Sequence, residues 1–181
     1  MKKLFLLGIS LFTLLLITSC EDENETVDSE WRLENEAKFA SITTDPEYTK
    51  LNSISGNGHV MYKVIETGDG DRSPYFTEQV KILYTGWFKR DWDKDNTYED
   101  DKGNYIINKI IFDTTSKSNI ARTFNVKEVV DGFSTALQHM KEGDKWEVWI
   151  PWNLGYLQSG NGSIPGYTTL VFEIELVEIV E

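Results

Sequence analysis

One cysteine, two histidines and four prolines among 181 residues narrow what this chain can be. A lone cysteine, Cys20, excludes an intramolecular disulfide. His59 and His139 stand far apart and match no ligand spacing, so neither is expected to be functional and no metal site is expected. Glycine is present, but not in the pattern of a phosphate-binding loop, and no nucleophile motif occurs. Basic residues are few: 18 Lys and Arg against 30 Asp and Glu give a net charge of −12. Nucleic acid wants a basic footprint, so that class of partner is excluded, as is electrostatic adsorption to anionic lipid. The remaining chemistry is that of an apolar pocket, without a cofactor.

The N-terminus is a leader. Lys2 and Lys3 precede an apolar run from Leu4 to Ile17 and then Thr18-Ser19-Cys20. A basic start, a short apolar core and small residues before a cleavage point describe a secretory signal over residues 1–19. The run is short for a membrane-spanning helix. A single cysteine in this place resembles the lipobox of bacterial lipoproteins, which makes Cys20 the expected lipidation site and the membrane a partner through that lipid. Without Lys2 and Lys3 the charge becomes −14. Glu21-Asp22-Glu23-Asn24-Glu25 then reads as part of a solvated acidic tether over 20–30. The protein is expected in the cell envelope, lipid-anchored at the outer membrane, on its periplasmic or its outer face.

Beyond the tether, Trp31 to Ile42 has partly helical spacing and reads as an amphipathic helix within an N-terminal extension over 31–58. Its role, packing on the main domain or dimerising, is left open by the residues. Ser55-Gly56-Asn57-Gly58 is a loop, taken as the border of a main domain over 59–181. Val60–Ile65, Gln79–Tyr84, Lys145–Ile150 and Thr168–Val180 read as strands; in the second, third and fourth the apolar residues alternate. Lys127–Met140 reads as a helix, with Val129, Val130, Phe133, Ala136, Leu137 and Met140 at steps of three and four and Gly143 as its stop. The sum is an α+β layout, an antiparallel sheet with one main helix and no internal repeat.

An ordered series of residues then narrows the reading. Gly68-Asp69-Gly70, Tyr84-Thr85-Gly86, Phe112-Asp113-Thr114-Thr115, Val129-Val130-Asp131-Gly132-Phe133, Ile150-Pro151, Tyr156, Ile164-Pro165 and Leu170-Val171-Phe172 follow one another over two-thirds of the chain. In this order they resemble the FKBP-type peptidyl-prolyl cis-trans isomerases. The resemblance implies a curved antiparallel sheet wrapped around one short helix, with a proline pocket between them. It implies that Phe112, Val129, Val130, Phe133, Ile164 and Phe172 bind substrate, and that Tyr84, Asp113 and Tyr156 are the catalytic group. The Val130 N–H and the Tyr156 hydroxyl would hold substrate carbonyls, with Asp113 at the edge held by Tyr84. Periodicity alone would make Tyr84, Val129, Val130, Phe133 and Phe172 ordinary core.

The departures from the family pattern lie at the rim. Arg122 stands where an aromatic is usual, Leu157 where Gly is usual, Gly155 where Ala is usual and Ser163 where a second aliphatic is common, while Phe133 replaces a tryptophan. The largest departure is an insertion at about 88–109. Alternate Asp91, Asp93 and Asp95 suggest a calcium loop, but Asn96 and Lys102 occupy the places where that loop needs Gly and Glu. The insertion reads as a hairpin with a charged tip, or as a partner-binding flap anchored by Trp87, Trp92, Tyr98 and Tyr105. The expected function is a prolyl isomerase acting on proline-containing segments of exported proteins; the alternative is a non-catalytic peptide-binding or chaperone module on the same scaffold.

Overall fold

The structure, a computed structural model, describes residues 23–180. The leader and Cys20 lie outside the described residues. The chain runs α1 (Glu23–Thr43), β1 (Thr49–Asn52), β2 (His59–Glu66), β3 (Gln79–Lys89), β4 (Thr97–Glu99), β5 (Tyr105–Ile107), β6 (Lys109–Thr114), β7 (Arg122–Asn125), α2 (Asp131–Leu137), β8 (Lys145–Ile150) and β9 (Leu170–Val180).

Seven strands form one antiparallel sheet in the order β1-β2-β8-β9-β3-β6, with β7 also on β3. The long β3 carries the sheet: β9 lies along one edge, while β7 and then β6 share the other. Its register slips against β9 at Lys81/Ile82 and against β6 at Gly86/Trp87. Bulges of this kind raise local twist and bend a strand, which curves the sheet.

Alternation along the strands makes two apolar faces. On the concave face Val80, Ile82, Tyr84, Val148, Ile150, Phe172, Ile174 and Leu176 close around Phe133, Ala136, Leu137 and Met140 from α2 and the turn after it. Gly132 permits this close packing, because a Cβ there would lie 2.4 Å from Cγ2 of Ile150. On the convex face Met61, Trp149 and Val171 meet Phe39 and Ile42 of α1, with Trp87 and Trp92 beside them.

Several expectations are corrected. The segment 127–140 is not one helix: a 3-10 turn over 126–128 gives way to extended Val129 and Val130, and α2 has only seven residues. Steps of three and four therefore hold a common face without continuous helix. The border at residue 58 is also displaced, because β1 pairs with β2 across the 53–58 loop and belongs to the main sheet. The tether expected over 20–30 is helical from Glu23. The buried stripe of α1 is Asn35, Phe39 and Ile42, flanked by partly buried Trp31, while Leu33 faces solvent. A polar residue in the stripe explains its weak periodicity.

The insertion also differs from the flap reading. Trp92 packs 5.4 Å from Trp149 and 6.2 Å from Trp87 by ring centroid, so these two rings are spent inside the protein. β4 and β5 form the hairpin, and Tyr105 remains 72% exposed. Fully buried Asn108 organises its base: the side-chain amide donates to the carbonyls of Asp91 (2.8 Å), Lys94 (3.2 Å) and Asp95 (2.7 Å), and its oxygen accepts from the Asp91 N–H. Carbonyls that could have turned to a cation thus converge on an amide.

Candidate functional site

Between β3, β6, β7 and the start of α2 lies a cavity of about 300 Å³. Tyr84, Phe112, Asp113, Val129, Val130, Phe133, Tyr156 and Phe172 line it, together with Phe124, Glu128 and Asn161. Eight of the nine expected site residues therefore meet in one place. Ile164 does not line it: it is buried in the main core and bridges Asn161, which takes the place on the wall.

The floor is aromatic. Phe133 and Phe172 sit 4.9 Å apart edge-to-face, Phe172 and Phe112 5.4 Å, and Tyr84 and Phe133 6.2 Å. Edge-to-face contacts of this kind bring the positive ring edge to the negative face and fix ring orientation. Gly86 lets two of these rings meet over the strand: a Cβ there would lie 2.5 Å from Phe172 and 2.7 Å from Phe112. Phe124, 5.6 Å from Tyr84, completes the wall.

One edge is charged and fully committed. The Tyr84 hydroxyl donates to Oδ2 of Asp113. Arg122 donates to Oδ1 of Asp113 at 3.0 Å and to the Tyr84 oxygen at 3.1 Å, and the Thr114 N–H donates to Oδ1 of Asp113 at 2.8 Å. Burial alone would push the Asp113 carboxyl up; the hydrogen bonds from Tyr84 and Arg122 outweigh it and hold the group below its ordinary value. Burial, then the hydrogen bond to Asp113, pushes the Tyr84 phenol well up. Asp113 is thus a charged acceptor with its lone pairs taken, and Tyr84 a neutral donor.

This revises the reading of Arg122. It does not replace the rim aromatic; Phe124, two residues on and on the same side of β7, supplies the ring, while Arg122 pins the carboxylate. The period of two in a strand was the signal that could have found this pair. Asn161 and Glu128 gave no signal, since one lies in an irregular loop and the other in a 3-10 turn.

The opposite edge is open. Tyr156 lines the cavity, and its hydroxyl has no hydrogen-bond partner among the described residues. Val130 precedes α2 in extended conformation, so its N–H lies outside the helical ladder. Leu157 adopts φ 58°, the left-handed region where Gly is easiest. That is the conformational reason a glycine is common after the tyrosine, and why Leu157 there carries strain.

An aromatic cavity between a curved sheet and a short helix, with polar groups at its edges, has a lining that suits an apolar ring. The sequence profile of the FKBP-type peptidyl-prolyl cis-trans isomerases matches residues 70–177, and the chain belongs to that family. It is 29% identical over 172 residues to a macrophage infectivity potentiator of Trypanosoma cruzi, covering 91% of this chain and 79% of that protein. It is 34% identical over 122 residues to the FKBP-type 22 kDa peptidyl-prolyl cis-trans isomerase of Escherichia coli, covering 67% of this chain and 50% of that protein. The chain thus spans only half the length of that relative. A crystal structure of a peptidyl-prolyl cis-trans isomerase from Pseudomonas syringae superposes with a TM-score of 0.61 at 27% identity, covering 84% of this chain and 96% of that one.

Proposed function

We propose that this protein is a peptidyl-prolyl cis-trans isomerase that assists the folding of exported proteins, tethered to the outer membrane through a lipid on Cys20. The X–Pro barrier, roughly 18–20 kcal/mol, is lost amide resonance, so a catalyst need only favour the twisted amide over the planar one. No bond breaks and no proton need move. The aromatic floor of Phe112, Phe133 and Phe172 seats the pyrrolidine ring, and an apolar wall favours the twisted amide because twisting reduces its charge separation. The Val130 N–H and the Tyr156 hydroxyl hold substrate carbonyls as the amide turns. Asp113, saturated by Tyr84, Arg122 and Thr114, orients and polarises that edge and does not transfer a proton.

The observation that carries this reading is the contrast between two tyrosines on one cavity. The Tyr84 hydroxyl is committed to Asp113 and Arg122, whereas the Tyr156 hydroxyl is left for a substrate. The test is acceleration of proline isomerisation in a short peptide by the folded protein. Tyr156→Phe is expected to lower kcat/KM about tenfold, the worth of one well-placed hydrogen bond, with unchanged stability. No acceleration by a folded sample would refute the enzyme reading and leave the non-catalytic peptide-binding one, which the exposed Tyr105, Ile107 and Ile111 of the insertion and β6 favour.

The membrane location rests on the leader and on Cys20 following it. Cys20→Ser is expected to move the protein from the membrane fraction to the soluble one; retention in the membrane would exclude lipid as the main attachment.

A further inference from the structure

We propose that α1 is a built-in clamp on the loop that carries Tyr156, so that the N-terminal helix sets how well the pocket is organised before substrate arrives. The proposal rests on the isomerase reading for its kinetic consequence, though not for its structural content.

The loop from Trp152 to Thr169 brings Tyr156 and Asn161 to the cavity. It is short of regular structure, and two of its non-glycine residues, Leu157 and Tyr167, both sit at φ 58°. They face one another through the Tyr167 N–H bonded to the Leu157 carbonyl at 3.0 Å. Backbone in this region persists in non-glycine residues only where the surroundings over-determine it.

One stretch of α1 supplies those surroundings and grips both ends of the loop. At the outgoing end the Trp152 indole N–H donates to Glu36 at 3.0 Å. At the returning end the Trp31 indole N–H donates to the Gly166 carbonyl at 2.9 Å. Asn35, fully buried, accepts the Thr169 N–H on its side-chain oxygen at 2.8 Å, and its own carbonyl accepts the Thr169 hydroxyl at 3.0 Å. Arg32 spans the two ends: its guanidinium lies 5.2 Å from the Trp152 ring centroid and 5.1 Å from that of Tyr167, and those two rings meet edge-to-face at 5.0 Å. Arg32 also pairs with Glu36 at 2.8 Å, locking the grip on the helix itself.

The same helix backs the pocket wall. Trp31 lies edge-on to Phe88 at 6.2 Å, and Phe88 stacks on Phe112 at 6.4 Å. Trp31 therefore touches the support of the floor on one side and the returning strand of the loop on the other. It is a positioning residue: neither it nor Arg32 lines the cavity.

The consequence is specific. If α1 lets go, the loop must be ordered when substrate binds, a cost shared by the ground state and the twisted state. Such a cost raises KM and leaves kcat unchanged. A merely structural defect would instead lower the active fraction, reducing apparent kcat at constant KM.

The experiment uses the whole protein with Trp31→Phe and Arg32→Ala, separately and together. Trp31→Phe keeps a ring against Phe88 and removes only the donor to Gly166; Arg32→Ala is at the surface. The double variant is expected to raise KM roughly three- to tenfold, as for loss of one or two ordinary hydrogen bonds, at constant kcat. Arg32→Lys should restore part of its share by keeping a cation at the rings. In a Tyr156→Phe background the KM effect should shrink, because the clamp acts through that hydroxyl. Amide exchange at Tyr167 and Gly160 should quicken in the double variant while Ile82 and Leu176 keep their protection. Unchanged KM, a fall in kcat alone, or unchanged exchange at Tyr167 and Gly160 would overturn the proposal. A wild-type protein without isomerase activity would defeat the functional reading, and the exchange measurement would then decide the clamp by itself.

Discussion

Val148 and Trp149 are neighbours in β8, yet they belong to different bodies of structure. Val148 points into the concave core beneath α2; Trp149 points the other way, into the layer formed by α1, Trp87 and Trp92. The concave layer keeps a cavity at its mouth, bounded by rings and by one committed ionic edge. The convex layer is filled by Phe39, Ile42 and Trp92, and its buried Asn35 is paired with Trp92 and Thr169 on other elements. One face is built to receive something and the other to hold the first in place. A sheet with only the concave layer would have left Met61, Trp149 and Val171 exposed.

The sharpest way to break this comparison is Asn35→Ala. Asn35 accepts both the Thr169 N–H and the Trp92 indole N–H, so the substitution strands one buried and one partly buried donor. A loss of about 3 kcal/mol of stability is expected, read as a shift in the urea midpoint. A change well under about 1 kcal/mol would mean that the convex layer is an attached ornament.

Asp113→Ala tests the concave side. The pair with Arg122 is half exposed and its partners can turn to water, so stability should hardly change. Activity should fall about tenfold, because Tyr84 and Arg122 lose the anchor that fixes the cavity edge. Equal losses of stability and activity would erase the distinction between receiving and holding faces.

The smallest expected effect is that of pH. Asp113 has a lowered value in the folded protein, so its contribution is fully present above the ordinary aspartate range near about 4 and is lost only as pH falls through the lowered native value. Activity per folded molecule should be flat between about pH 5 and pH 8, without the bell of an acid–base pair. A titration step in that window would assign a proton-transfer role that Asp113, as arranged, does not have.

How much of this was legible beforehand differs between the layers. The concave face could be read because its residues alternate within strands and its pocket residues occur in a family order: Tyr84, Asp113 and Tyr156 fall where the sequence places them. Ile164 was misplaced because Ile164-Pro165 lies in an irregular loop, where no periodicity fixes direction. Arg122 was misread because a local comparison assigns it the ring's position, while Phe124 supplies the ring. The convex layer was nearly invisible. Its helix carries Asn35 in the buried stripe and Leu33 outside it, so its pattern is blurred. The tryptophans of the insertion could equally serve a partner or the protein itself.

The sequence by itself determined four of the strands, because apolar runs and strand period are local properties that survive in one dimension; the aromatic floor and the class of chemistry followed from the order of motifs that resembles a family. Only the tertiary structure decided what α1 and the insertion do. The hydrogen-bond partners of α1 on other elements lie 57 to 135 residues away, as in Asn35 with Trp92 and Trp31 with Gly166. Contacts of that separation are selected by the shape of the whole sheet and leave no spacing in the chain.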